Sequence, residues 1–337
     1  MIFELMSERS AISFKPGYAL GLDLGGTVLK FGIVDHRGNT IFEDHLPSLG
    51  KHGCDKMRNQ ILKAVTRSRE AASSNNASIR CIGFGTPGTV DAQGRVQGEL
   101  PNLPHWRNFP VVEFLKEISD YIVVVENDAN LMTFAEALTG SGMGFSTVFG
   151  ITFGTGIGGG FVVNGELYTG TGGAGEIGHT TVVPQGRSCG CGRVGCMERY
   201  GSVTAIEETY FNVKGENRTA QDIVEHWLCQ DRFATDVMEE FLEYSSLGII
   251  NMLQILRPEC LVLGGGLLEI HEAVFNSLSR RLDEDVPEAV RDTVSVRKAT
   301  HGNRAGLIGA GVYALAVSEQ DSIEELRRNG RAYTRNG

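Results

Sequence analysis

Apolar positions recur every second residue over some stretches and every third or fourth over others, and each change of period predicts a change of element. GLDLGGTVLKFGIVDHRG, from Gly21, reads as an apolar strand, a glycine and threonine turn, and a second strand in which Phe31-Gly32-Ile33-Val34 alternates. GITFGTGIGGGFVVNG, from Gly150, repeats that plan 129 residues later and ends in Asn164-Gly165, a strong hairpin turn. A duplicated strand–turn–strand unit predicts two similar lobes.

Between the two units the spacing predicts a strand at residues 40–45, a helix at 55–73, a strand at 79–85, a helix at 111–118 and a strand at 121–125. In NDANLMTFAEAL the apolar Leu131, Phe134, Ala135 and Leu138 keep helical spacing, so a strand hands over to a helix at Asn127-Asp128. Residues 221–228, 234–256 and 267–282 read as helices, with a short buried strand at 260–263. Gly302-Asn303 breaks the chain before an apolar helix at 305–316 rich in small residues, and 318–337 reads as a charged surface helix with a loose tail. Alternating strands and helices define an α/β class.

Length and composition narrow the picture. The chain has 337 residues, beyond the roughly 250–300 at which single cores stop growing, so two compact lobes are expected. Glycine is in excess, with 44 copies, where about 7% is usual. Many are clustered, as if backbone must turn sharply or approach a ligand. With 31 basic and 41 acidic residues the net charge is −10, which gives no global field for a polyanion and excludes nucleic acid as an expected partner.

Glu4, Glu8 and Arg9 interrupt the first ten residues, so no export signal is expected there. Residues 140–165 carry no charge, but ten of the twenty-six are glycine, which favours strands over a membrane span. Seven cysteines, an odd number, fit a reducing compartment better than a disulfide framework. A cytoplasmic protein without a membrane partner is the expectation.

Candidate chemistry begins at the glycine turns. Gly154-Thr155-Gly156-Ile157-Gly158-Gly159 matches G-x-G-x-x-G, yet a strand-like GGFVV follows where a dinucleotide fold needs a helix. What remains is a pair of strand–Gly/Thr–strand turns whose backbone N–H groups can hold an anion without net positive charge. Asp23 lies in the first turn with Gly25, Gly26 and Thr27. An acid beside phosphate repels it unless a cation intervenes, and Mg²⁺ held by one or two carboxylates plus phosphates meets that need. A turn-capping aspartate is the alternative.

DLGGTVLK, the PN of ELPNLPHW, the END of ENDAN, FGTGIGGG, GEIGH and CGCGRVGCME resemble, in order and spacing, the ROK family of sugar kinases and sugar-responsive repressors. The resemblance runs from about residue 18 to 316, and CGCGRVGCME with GEIGH is its most specific part. It implies a two-lobed actin-like ATPase (ribonuclease H-like) fold, with central mixed sheets flanked by helices. The expected organisation is an extension over 1–17, a small lobe over 18–128 completed by a helix at 305–320, and a larger lobe over 129–304 holding a loop at 175–201.

His179, Cys189, Cys191 and Cys196 offer one nitrogen and three sulfurs, a set suited to tetrahedral, structural Zn²⁺ with no open position. The imidazole nitrogen turned away from such a metal can face a sugar hydroxyl. Fixing this loop also fixes Glu176 and Glu198, which match family positions that bind sugar. The family match at END makes Asp128 the expected catalytic base, since phosphoryl transfer to an alcohol needs the hydroxyl positioned and its proton accepted. Helix capping competes for the same residue.

The resemblance further assigns Asn127 and Asn102 to the sugar, and Gly264-Gly265-Gly266 to the nucleotide alongside Gly154, Thr155 and Gly156. Lys30 fits the first motif, although an exposed strand lysine reads equally well. The expected activity is ATP-dependent phosphorylation of a hexose, glucose first, in a homodimer. N-acetylglucosamine, N-acetylmannosamine and fructose stay open as substrates, and polyphosphate as donor. A repressor is disfavoured, because seventeen residues before the first strand leave no room for a DNA-binding domain.

Overall fold

The structure, a computed structural model, describes residues 17–91, 94–97, 103–104 and 106–333, with side chains described through Glu319. Strands β1 (Tyr18–Leu24), β2 (Val28–Asp35) and β3 (Thr40–Pro47) form an antiparallel meander. Helix α1 (Cys54–Ser74) buries Met57, Ile61, Ala64, Val65, Ser68 and Ala72, a stripe at helical spacing that packs on β2 and β3. Strand β4 (Ile79–Thr86) returns parallel to β1. A ribbon of β5 (Thr89–Val90) and β6 (Val96–Gln97), then α2 (Val111–Glu117), precede β7 (Ile122–Asn127), which pairs with β4.

Helix α3 (Asp128–Thr139) leads to a second meander of β8 (Thr147–Phe153), β9 (Ile157–Val163) and β10 (Glu166–Leu167). An irregular segment follows, then α4 (Glu198–Gly201), α5 (Val203–Lys214), α6 (Ala220–Leu228) and α7 (Arg232–Leu256). Strand β11 (Cys260–Gly264) joins β8 in parallel. After α8 (Gly266–Ile270), α9 (Glu272–Asp285) and α10 (Glu288–Arg291), β12 (Ser295–Lys298) joins β11, and α11 (Ala305–Tyr333) ends the described chain.

The sheet orders are β3-β2-β1-β4-β7 and β10-β9-β8-β11-β12. The second repeats the first, strand for strand, with an antiparallel meander followed by two parallel additions. Mixed sheets flanked by helices agree with the α/β actin-like class expected above. The chain divides into two compact units, Met1–Asp128 with Leu307–Gly337, and Ala129–Gly306. Each unit has its own apolar core, one around Leu22, Phe31 and Phe84 and one around Phe153, Phe241 and Leu263.

The glycine excess has a packing cause. Gly21 and Gly83 sit opposite each other on β1 and β4, and a Cβ on either would strike the carbonyl of Leu307 or Ala310 in α11. Gly150 and Gly160 are likewise paired on β8 and β9, where a Cβ would strike Thr133 of α3. Each sheet thus seats a helix rich in small residues directly on a row of glycines, which accounts for glycines that touch no turn.

Two expected elements differ. The helix expected over 267–282 is two helices, because His271 is extended (φ −156°, ψ 144°) and caps the second through Nδ1, which accepts the Ala273 N–H at 3.1 Å. The helices expected over 305–316 and 318–337 are one continuous helix, which runs from Ala305 to Tyr333. Helix α5 and strand β12 were not anticipated. Among the described residues no helix is long and apolar enough to cross a membrane.

Glu136, fully buried in α3, holds the loop after β12. Its Oε1 accepts the N–H groups of Thr300 (2.8 Å) and His301 (2.7 Å), and its Oε2 accepts the Ser141 N–H (2.9 Å) and hydroxyl (3.1 Å). Glu136→Ala strands these donors, at about 1–3 kcal/mol for each one that water cannot reach. A loss of about 2–4 kcal/mol is expected, read as a lower urea midpoint at unchanged slope. Glu136→Gln, which keeps an acceptor, should lose less.

Candidate active site

In the first unit the parallel strands β1, β4 and β7 end together. The register Asp23↔Gly85↔Glu126 and Thr86↔Asn127 brings Asp23 and Asn127 to their carboxyl edge, where α/β sheets generally bind ligands. Lys30 lies directly across from Asp23 on β2, with Nζ 3.7 Å from Oδ2. Burial raises the Asp23 carboxyl above the ordinary carboxylate range, and Lys30 works against that rise.

Gly25, Gly26 and Thr27 close the β1–β2 turn through the Gly25 N–H to the Val28 carbonyl (2.8 Å). Ser48 steadies the turn by donating its hydroxyl to the Gly26 carbonyl (2.9 Å). At the end of β7 the Asn127 N–H donates to Glu126 Oε1 (2.8 Å), and its Nδ2 donates to the Gly88 carbonyl (3.1 Å). Asp128 follows as the first residue of α3 and is half-buried at the N-terminal end of that helix. Asn102 lies outside the described residues.

In the second unit Gly154, Thr155 and Gly156 form the turn from β8 to β9, closed by the Gly154 N–H to the Gly156 carbonyl at 2.9 Å. The N–H groups of Thr155 and Gly156 take no partner among the described residues. Gly264 pairs with Thr152 at the end of β11. Gly265, at φ +97°, leaves no room for a Cβ against the Phe153 backbone. The two glycine turns therefore lie side by side at the carboxyl edge of β8 and β11, with Gly266 opening α8.

The cysteine loop brings its four ligand atoms within 4.8 Å of one another. Cys189 Sγ lies 3.6 Å from His179 Nδ1, and Cys191 Sγ lies 3.6 Å from Cys196 Sγ. A tetrahedral zinc site with bonds of about 2.3 Å has edges of about 3.8 Å, so the donor set fits the metal in type and spacing. With Nδ1 turned to the sulfurs, His179 Nε2 is the outward nitrogen, 3.9 Å from Glu176 Oε2. Glu198, two residues after Cys196, opens α4 and accepts the Ile157 N–H on Oε2 at 3.0 Å.

Supports of this loop that sequence reading missed come from Arg187. It pairs with Glu240 of α7 (Nη1 to Oε1 2.7 Å), donates to the Arg199 carbonyl (3.0 Å) and covers the Tyr200 ring at 4.5 Å. The signal available was an arginine two residues before Cys189, one of three in a loop with little apolar content. Trp106 was missed as well. Fully buried, it donates Nε1–H to Thr86 Oγ1 at 2.8 Å and so braces the residue paired with Asn127.

Comparison with known proteins adds an independent line. The glucokinase of Halalkalibacterium halodurans is 30% identical over 322 residues, 91% of this chain and 97% of its own. The N-acetyl-D-glucosamine kinase of Haemophilus influenzae is 30% identical over 310 residues, 88% of this chain and 98% of its own. A ROK family glucokinase from Streptomyces griseus, solved in complex with glucose and AMPPNP, superposes with a TM-score of 0.76 at 28% identity, covering 88% of this chain and 99% of that one. The ROK family pattern itself matches residues 19–317, and on that span the chain belongs to the ROK family.

Proposed function

We propose that this protein is an ATP-dependent hexose kinase that transfers a phosphoryl group to the terminal hydroxyl of glucose. The observation that carries the reading is the S. griseus glucokinase, which shares this fold along almost its whole length and was solved with glucose and an ATP analogue. The family positions for sugar, base and phosphate are filled here by residues able to perform those tasks.

Asp128 takes the proton of the attacking hydroxyl, and Asn127 and Asn102 hold the sugar with it. Glu176, His179 Nε2 and Glu198 accept from or donate to ring hydroxyls, which needs the loop immobile. His179, Cys189, Cys191 and Cys196 would hold zinc, which would supply that rigidity and leave no open coordination position. Gly25, Gly26 and Thr27, with Gly154, Thr155 and Gly156, offer backbone N–H groups to phosphate oxygens, while Gly264, Gly265 and Gly266 flank the nucleotide. Asp23 would hold Mg²⁺, which would supply screening of negative charge on the phosphates, with Lys30 across the strand pair from Asp23. A cytoplasmic homodimer completes the reading.

A second substrate has specific support, since the H. influenzae N-acetyl-D-glucosamine kinase matches at the same 30% identity. One experiment separates the two: coupled ADP release measured over glucose, fructose, N-acetylglucosamine and N-acetylmannosamine. Glucose with the highest kcat/KM is expected. A preference for an acetylated aminosugar moves the assignment to that kinase class, and no ADP release above background with any sugar overturns the kinase reading.

A further inference from the structure

Glu198 is attached to the glycine turn of β8 and β9 in a way that its sugar role does not require. Its Oε2 accepts the Ile157 N–H at 3.0 Å, and a Cβ on Gly156 would collide with that same oxygen. Two more bonds from the following residues close on the turn. The Val203 N–H donates to the Gly154 carbonyl at 2.8 Å, and the Thr204 hydroxyl donates to the Thr155 carbonyl at 2.9 Å. Segment 198–204 thus grips the turn through both carbonyls that precede Gly156 and the N–H that follows it.

The GEIGH segment is laid on the same strand. A Cβ on Gly159 would approach the Gly175 carbonyl at 2.5 Å, and one on Gly178 would collide with the Ile157 carbonyl. Two of the groups assigned to sugar, Glu176 and His179, are therefore carried on backbone packed against β9, and the third is bonded to its first residue.

We propose that Glu198 is a positioning residue for the phosphate turn, so that sugar and nucleotide occupancy are coupled through its carboxylate. The inference rests on the kinase reading above and goes beyond it by assigning one side chain to both substrates. A carboxylate accepts at two oxygens. Oε2 is committed to Ile157, and Oε1, 4.0 Å from Cys189 Sγ, keeps a second lone pair for a sugar hydroxyl. A hydroxyl bound there fixes the Glu198 rotamer and with it the N–H of Ile157, so the turn presents the Thr155 and Gly156 N–H groups in one conformation. The first ligand then bears an ordering cost that the second does not. By linkage the effect is reciprocal: nucleotide tightens sugar by the factor with which sugar tightens nucleotide.

Calorimetry on the full chain tests this, with AMPPNP and Mg²⁺ titrated into protein with and without saturating glucose, or with N-acetylglucosamine if the substrate panel selects it. Sugar is expected to raise nucleotide affinity in the wild type on the order of 5–20-fold. Thr204→Val removes one grip on the turn without touching any proposed sugar ligand. It should weaken nucleotide binding severalfold and leave sugar affinity in the absence of nucleotide unchanged, a split that general destabilisation does not produce. Glu198→Ala should weaken both ligands and bring the coupling factor to about 1.

Sugar binding with no coupling in the wild type overturns the inference alone. So does coupling that persists in Glu198→Ala, or nucleotide affinity unmoved by Thr204→Val. Failure of the wild type to bind any sugar overturns the kinase reading and the inference together.

Discussion

Replacing Asp128 by alanine or asparagine is expected to lower kcat by about 10²–10⁴-fold, the usual contribution of a positioned general base, while sugar still binds measurably by calorimetry. The alcohol must lose its proton as it attacks, and no protein group is needed to bond covalently to the phosphoryl group. Asp128 is half-buried at the carboxyl edge of β7, one residue after Asn127. That address also suits a helix cap, whose loss costs about 0.5–2 kcal/mol of stability. The two roles separate by magnitude and by readout. Asparagine can cap a helix but cannot take a proton, so a base predicts that Asp128→Asn keeps its melting temperature and loses turnover. A cap alone predicts turnover near the wild type in Asp128→Asn, and that result would refute the catalytic assignment.

The fold was largely legible because its signals are local. The duplicated strand–turn–strand units at Gly21 and Gly150 became the two meanders, β1 to β3 and β8 to β10, and the parallel additions followed from alternating strands and helices. Local signals also existed for α5 and were passed over: Ser202 caps its start by accepting the Ala205 N–H, and Gly215 ends it at φ +76°. Its buried Ala205, Ile206, Thr209 and Tyr210 include two polar or partly polar residues, which blurs the apolar period. The break at His271 depends on one extended residue inside an amphipathic run, and periodicity across a single residue cannot register that.

Legibility of the candidate site divides along the same physical line. The metal set and each glycine turn are clusters in sequence, so spacing together with the family resemblance marked them. Glu198 with Ile157, Arg187 with Glu240 and Glu136 with Thr300 are separated by 41, 53 and 164 residues. Such long-range bonds leave no periodic trace. A buried Glu136 on an apolar helix face was the one visible hint, since a carboxylate is rarely fully buried without partners.

Cys191→Ser is expected to leave the purified protein with little zinc by elemental analysis, to lower its thermal midpoint, and to weaken sugar binding on the order of 10–100-fold, by analogy with the loss of metal affinity or activity when outer-shell partners of a metal site are removed. Structural zinc contributes an apparent ~10–16 kcal/mol in small fingers that have no other core. The loss here should be smaller, because parts of the loop are fastened without metal. Cys196 and Met197 are fully buried, the bridge between Thr181 and Cys196 holds one side, and Arg187 holds the other through Glu240 and Tyr200.

The Arg187 pair is only half-buried, and exposed pairs contribute about 0–1 kcal/mol, so it cannot replace a metal. The variant should therefore stay folded while His179 and Glu198 lose their fixed orientation. That places the larger effect on sugar affinity and the smaller one on global stability. A zinc-free Cys191→Ser protein that bound sugar as tightly as the wild type would separate the metal from sugar recognition, and the loop would then owe its shape to Arg187 and the buried Cys196–Met197 step instead.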